Sequence, residues 1–118
     1  MKKLTDKELE IMNVLWDNGA LSMRDIIENI MEPKPHFNTV ATLVRRLEAH
    51  GMITHQALGA RFFLYEAAMT REKYAEAMNR ESVNRFFHGS YMNFISQLVQ
   101  EEEISVDELK ELIKMVEG

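Results

Sequence analysis

Asn38-Thr39-Val40-Ala41-Thr42-Leu43-Val44-Arg45-Arg46-Leu47-Glu48-Ala49-His50-Gly51 is the stretch from which the rest of the chain can be read. Val40, Leu43, Val44 and Leu47 recur at i, i+3, i+4 and i+7, the spacing of one buried helix face. Asn38 suits the N-cap and Gly51 the C′ position, which bounds the helix. At 100° per residue the opposite side carries Asn38, Thr42, Arg45 and Ala49, flanked by Thr39, Ala41 and Arg46. That side is short, hydrogen-bonding or cationic, and no acid interrupts it before Glu48.

Upstream, Thr5 and Glu8 form a capping box with Leu4 and Leu9 as its hydrophobic staple, so a helix is predicted from Asp6 to near Gly19. Its stripe is Leu9, Met12 and Trp16, with Ile11 and Leu15 beside them. Ser22 caps a second helix bearing Met23, Ile26, Ile27 and Ile30, which Pro33 and Pro35 stop. After Gly51 the pattern becomes strand-like at 52–56, turns around Gly59 and resumes at 61–65, a β-hairpin. Helix, helix, helix, hairpin is the order of a winged helix-turn-helix, assigned here to residues 1–69.

Residues 67–70 read as a hinge. Thr70 then caps a helix from Arg71 to about His88, its stripe of Tyr74, Ala77, Met78 and Phe86 broken by Ser82. Gly89 and Ser90 precede a helix with Tyr91, Phe94, Ile95, Leu98 and Val99 on one face. An acidic connector, Glu101 to Glu103, leads to a second capping box, Ser105 with Glu108, and a last helix bearing Leu109, Leu112, Ile113 and Val116. Three short helices with one apolar face each cannot bury themselves well, since domains below roughly 60 residues are marginal alone. Sharing those faces with a second copy about a two-fold axis solves the problem. Residues 70–118 are therefore predicted to be a helical dimerisation domain, and Tyr91, Phe94, Ile95, Leu98, Leu109, Leu112, Ile113 and Val116 its contact residues. The fold class is mainly α with a small β-hairpin.

The formal net charge of −5 argues against a nucleic-acid partner until its distribution is considered. Residues 34–61 hold Lys34, Arg45, Arg46 and Arg61 against Glu48 alone, whereas residues 67–118 hold six basic and ten acidic side chains. A helix that enters the major groove needs an outer face short enough to approach the bases and polar enough to read them. Asn38 suits adenine and Arg45 guanine, while the Thr39 and Thr42 methyls suit thymine; Arg46 flanks them. Arg61, with His55 opposite across the hairpin, falls on the wing and suits a phosphate backbone or a minor groove. Lys34 and Ser22 are placed as phosphate contacts. The same residues also suit a solvated helix face and a hairpin charge that keeps an edge strand soluble. Phe62, Phe63 and Tyr65 could stack on single-stranded bases, but are expected in the core.

Other chemistries find little support. With no cysteine there is no disulfide framework, thiolate zinc site or nucleophilic thiol. His36, His50, His55 and His88 lack the clustered spacing of a metal site, and there is no Gly-rich phosphate loop or nucleophile elbow. No catalytic residue, metal or cofactor is expected. The longest strictly apolar run, Phe62 to Tyr65, is far short of the roughly 20 residues a membrane span needs. The opening from Met1 to Asp6 is basic but leads into no apolar h-region, so a cytoplasmic protein without membrane insertion is expected.

Taken in order, Leu4-Thr5-Asp6 to Leu15-Trp16, Asn38-Thr39-Val40 with Thr42-Leu43 and Arg46-Leu47, the Gly51 boundary, the aromatic strand through Tyr65 and Ile104-Ser105 to Ile113 resemble the penicillinase and methicillin-resistance repressors (BlaI/MecI-like) along nearly the whole chain. The resemblance implies a cytoplasmic homodimeric transcriptional repressor, with an N-terminal winged helix on a palindromic double-stranded operator and a C-terminal dimerisation domain. It also implies release from DNA when a membrane metalloprotease sensor, or a protease associated with it, brings about cleavage in that domain. There are departures. Many relatives carry a basic residue where this chain has Ala41. The family's cleaved Asn-Phe bond falls on Gln97-Leu98 here, while an Asn93-Phe94 pair lies one helical turn earlier. The cysteines of the copper-responsive branch are absent. A ligand-gated repressor with an inter-domain pocket and a winged-helix protein-interaction module are the alternative functions.

Overall fold

A computed structural model of the chain describes residues 3–30 and 32–118; Met1 and Lys2 of the basic opening segment, and Met31, lie outside them. The elements are α1 (Asp6–Asn18), α2 (Met23–Asn29), α3 (Phe37–Ala49), β1 (Ile53–Ala57), β2 (Phe63–Ala67), α4 (Arg71–Phe87), α5 (Tyr91–Gln100) and α6 (Val106–Glu117). They form two compact units, residues 1–76 and 77–118.

Local signals set most boundaries. The Thr5/Glu8 capping box is formed reciprocally: Thr5 Oγ1 accepts from the Glu8 N–H at 3.2 Å, and Glu8 Oε1 accepts from the Thr5 N–H at 2.9 Å. Thr5→Ala deletes one arm, and is expected to destabilise the first unit by about 0.5–2 kcal/mol. The check is a lower urea midpoint at unchanged slope; an unmoved midpoint contradicts it. Ser22 caps α2 through its side chain, and Ser105 with Glu108 builds the second box at α6. At the end of α3, Gly51 takes φ +79°, donates to Glu48 O, and is followed by Met52 donating to Leu47 O. Those two bonds make a Schellman motif, and the left-handed backbone at its C′ position favours glycine.

Several expectations shift. His36, not Asn38, is the N-cap of α3; its carbonyl accepts from Thr39 and Val40, so the ladder starts two residues earlier and the Asn38 amide is not spent on capping. α2 ends at Asn29 before either proline, and Lys34 closes it by donating from Nζ to the carbonyls of Glu28 and Ile30. The α1 stripe centres on Ile11, Met12 and Leu15, with Val14 and Glu8 also buried; Leu9 and Trp16 are half-buried. In α4, Phe86 stands 68% exposed, and Val83 is the buried residue that carries the stripe past Ser82.

The first unit's core is where α1, α2 and α3 meet, built from Ile11, Met12, Leu15, Ile26, Val40, Val44 and Leu47. β1 and β2 pair antiparallel from Ile53↔Ala67 to Ala57↔Phe63, starting and ending one or two residues later than the alternation suggested. Leu21 adds an isolated antiparallel bridge by exchanging backbone hydrogen bonds with Tyr65 at 2.8 and 2.9 Å, which fastens the hairpin to the α1–α2 connection. The first turn of α4 belongs to the same unit. Tyr74 Oη accepts from the Leu4 N–H, Arg71 pairs with Asp17 at 2.6 Å and lies over the Trp16 ring, and Trp16 Nε1 donates to Met69 O. The unit boundary therefore falls inside α4 rather than at Thr70.

In the second unit, the Phe87 and Phe94 rings lie 5.4 Å apart between centroids. No residue of α5 or α6 is buried.

Candidate nucleic-acid interface

Burial of Val40, Val44 and Leu47 fixes how α3 is rotated, and this rotation puts Asn38, Thr39, Thr42, Arg45 and Arg46 in solvent. Ala41 is an exception among the flanking positions, only 4% exposed, so the departure from relatives at that position lies beneath the helix rather than on its outer face. Thr42 Oγ1 donates to Asn38 O at 2.9 Å, which satisfies the hydroxyl within the helix and leaves the methyl as its outward group. The one acid near the end of α3, Glu48, is hydrogen-bonded to His55 Nδ1 on β1. His55 packs edge-on against Phe63 and tilted against Tyr65.

The wing departs from the expected pairing. Tyr65, not Arg61, is opposite His55, because the strands begin later and Arg61 falls in the loop between Ala57 and Phe63. Arg61 is exposed there, and Leu58 N donating to Phe62 O at 2.8 Å closes the loop. Phe62 and Phe63 are not core: both stand exposed, and only Tyr65 is half-buried. The hairpin has a single helical layer on one side, too little to cover alternate aromatics on both faces.

Ser22 and Lys34 are already engaged. The Ser22 hydroxyl oxygen accepts from the Asp25 N–H at 3.2 Å, and the Lys34 ammonium donates to the carbonyls of Glu28 and Ile30 at the end of α2; the Ser22 O–H and the third Lys34 N–H are left as donors. Among the described residues no group of three or more His, Cys, Asp or Glu could hold a metal ion, and no helix is long and apolar enough to cross a membrane.

One feature was not anticipated. A cavity of about 310 Å³ behind Trp16 has mixed walls, but a larger one of about 590 Å³ opens between α2, α3 and the wing. Arg24, Arg45 and Arg61 line it together with the rings of Phe37, Phe62, Phe63 and Tyr65. Arg24 and Phe37 were missed because each lies off the apolar stripe of its own helix, and only the meeting of three elements brings them together.

Three helices packed about one core, a hairpin pinned to the first connection and a polar outer face on the third helix define a winged-helix DNA-binding protein. The penicillinase repressor family matches residues 4–118, and the chain belongs to it. The penicillinase repressor of Bacillus licheniformis is 26% identical over 99% of this chain and 94% of its own length. The methicillin resistance regulatory protein MecI of Staphylococcus aureus (strain N315) is 26% identical over 93% of this chain and 89% of its own. Among solved structures, the DNA-binding domain of the repressor BlaI superposes with a TM-score of 0.53 at 28% identity, over 63% of this chain and 94% of that one. The family is one of DNA-binding transcriptional repressors, not enzymes.

Proposed function

We propose that this protein is a dimeric, sequence-specific repressor that reads a palindromic operator through α3. The observation that supports it most is the division of α3: Val40, Val44 and Leu47 fully buried on one side, Asn38, Thr42 and Arg45 exposed on the other, with Arg61 at the wing loop. Asn38 and Arg45 carry the side chains that pair bidentately with adenine and guanine, and the Thr39 and Thr42 methyls meet thymine. Arg46 and Arg61 neutralise phosphates and set register. The two half-sites lie one helical turn, about 34 Å, or a multiple of it apart.

The dimer forms through the second unit. Of its eight proposed contact residues, Tyr91, Ile95, Leu112, Ile113 and Val116 are exposed, and Phe94, Leu98 and Leu109 are half-buried. Met92, Val106 and Met115 on the same two helices are exposed as well. Relief by a membrane metalloprotease sensor, or by a protease it triggers, would act at Gln97-Leu98 or Asn93-Phe94. Both bonds lie inside α5, so cleavage at either requires that helix to open first.

Selection of bound duplexes from a random-sequence library tests the reading. The expected product is one inverted-repeat motif protected at both half-sites in a footprint. Failure to retain any duplex at about 50 mM salt, where phosphate contacts are strong, overturns it.

A further inference from the structure

The cavity between α2, α3 and the wing has a chemistry that reading duplex DNA does not require. Its volume of about 590 Å³ is that of a small-molecule site. Three guanidinium groups line it, from Arg24, Arg45 and Arg61, and no acidic side chain does. None of the three takes part in an ion pair among the described residues. The remaining walls are largely aromatic: Phe37 and Phe62 are more than half exposed and Phe63 more than a third, although rings of this size normally find cover. A phosphodiester is strongly hydrated and gains nothing from such rings. A planar aromatic carboxylate uses both halves of the cavity, its ring stacking among the phenylalanines and its carboxylate taking the forked donors of an arginine.

We propose that this cavity is a binding site for a small planar aromatic carboxylate, which by engaging Arg45 and Arg61 competes directly with operator DNA. The site lies wholly within the first unit, unlike an inter-domain effector pocket. Ligand occupancy itself does not depend on the repressor reading; the consequence for DNA does.

The full chain is titrated with 2-naphthoate by calorimetry at low salt, and amide shifts are followed by NMR. The expected result is saturable binding of one 2-naphthoate per chain, with the largest shifts at Arg61, Phe62 and Phe63. Neutral 2-naphthamide and the non-aromatic cyclohexanecarboxylate each bind at least about tenfold more weakly, since one lacks the charge and the other the ring. Arg24→Gln and Phe37→Ala, both exposed positions outside the proposed DNA contacts, each weaken 2-naphthoate by about tenfold while leaving the thermal midpoint in place. Absence of saturable binding overturns the proposal. So does equal affinity for the amide, displacement by an equal concentration of inorganic phosphate, or unchanged binding in both variants. In a second arm, 2-naphthoate added to the protein–operator complex releases the duplex. Loss of naphthoate binding with intact duplex binding sinks the pocket alone, whereas naphthoate binding by a protein that retains no duplex sinks the repressor reading alone.

Discussion

Arg45→Ala is expected to lower operator affinity by about 2–6 kcal/mol for the dimer, because each half-site loses one bidentate base contact valued at about 1–3 kcal/mol. The loss is selective: preference relaxes at one base pair in each half-site, and affinity for unrelated duplex changes far less. The geometry supports this, since Arg45 stands in solvent on the same side of α3 as Asn38 and Thr42, while Val44 beside it is buried without remainder. Arg61→Ala behaves differently, weakening all sequences alike, because a side chain on the wing loop meets backbone rather than base edges. Salt dependence separates the two. With Arg45 on a base, Lys34, Arg46 and Arg61 supply at most about six phosphate contacts per dimer, so log K falls against log salt with a slope of about −5. Arg61→Ala makes that slope shallower by about 2. Binding data over a salt series for the wild type and both variants are the check. If Arg61→Ala alters base preference and Arg45→Ala only the slope, the two roles are reversed.

What could be read from the sequence is what depends on neighbours a few residues apart. The Thr5/Glu8 and Ser105/Glu108 boxes, the Ser22 cap and the Gly51 terminus each rest on one helical turn, and each forms as expected. The rotation of α3 was legible for the same reason: four apolar residues at fixed spacing leave one choice of buried side. What failed depends on distant chain. Ala41 looked outward on a helical wheel, but it is only 4% exposed, at the wall of the cavity that α3 shares with α2 and the wing. Phe62 and Phe63 looked like core because alternating aromatics usually are; nothing local indicates that the hairpin has too little protein beside it to bury them. Arg24 and Phe37 carry no signal at all until the three elements assemble.

Ile113→Glu is expected to turn the proposed dimer into a monomer and, through that alone, to weaken binding to the full operator by about 10²–10⁴-fold. In the single chain Ile113 is more than half exposed, so a carboxylate there is hydrated and costs the protomer little. In a two-fold interface the same substitution appears twice, and each copy puts an unpaired charge against apolar surface. The size of the DNA effect follows from linkage. Two winged helices joined through their second units bind the second half-site as an intramolecular step, and severing the joint forfeits that effective concentration. The proposed joint rests on α5 and α6. Neither has a buried residue, and with Val116 86% and Met115 75% exposed a single protomer leaves these apolar side chains to water, where a second copy could cover them. Light scattering coupled to size exclusion reads the oligomer, and a duplex with a single half-site supplies the control. Ile113→Glu leaves half-site affinity unchanged if the first unit is intact, so a misfolded variant is recognised at once. Val116→Glu, the more exposed position, is expected to act in the same direction. A wild-type chain that is monomeric at tens of micromolar, or variants that remain dimeric and keep full operator affinity, would remove the second unit from the mechanism.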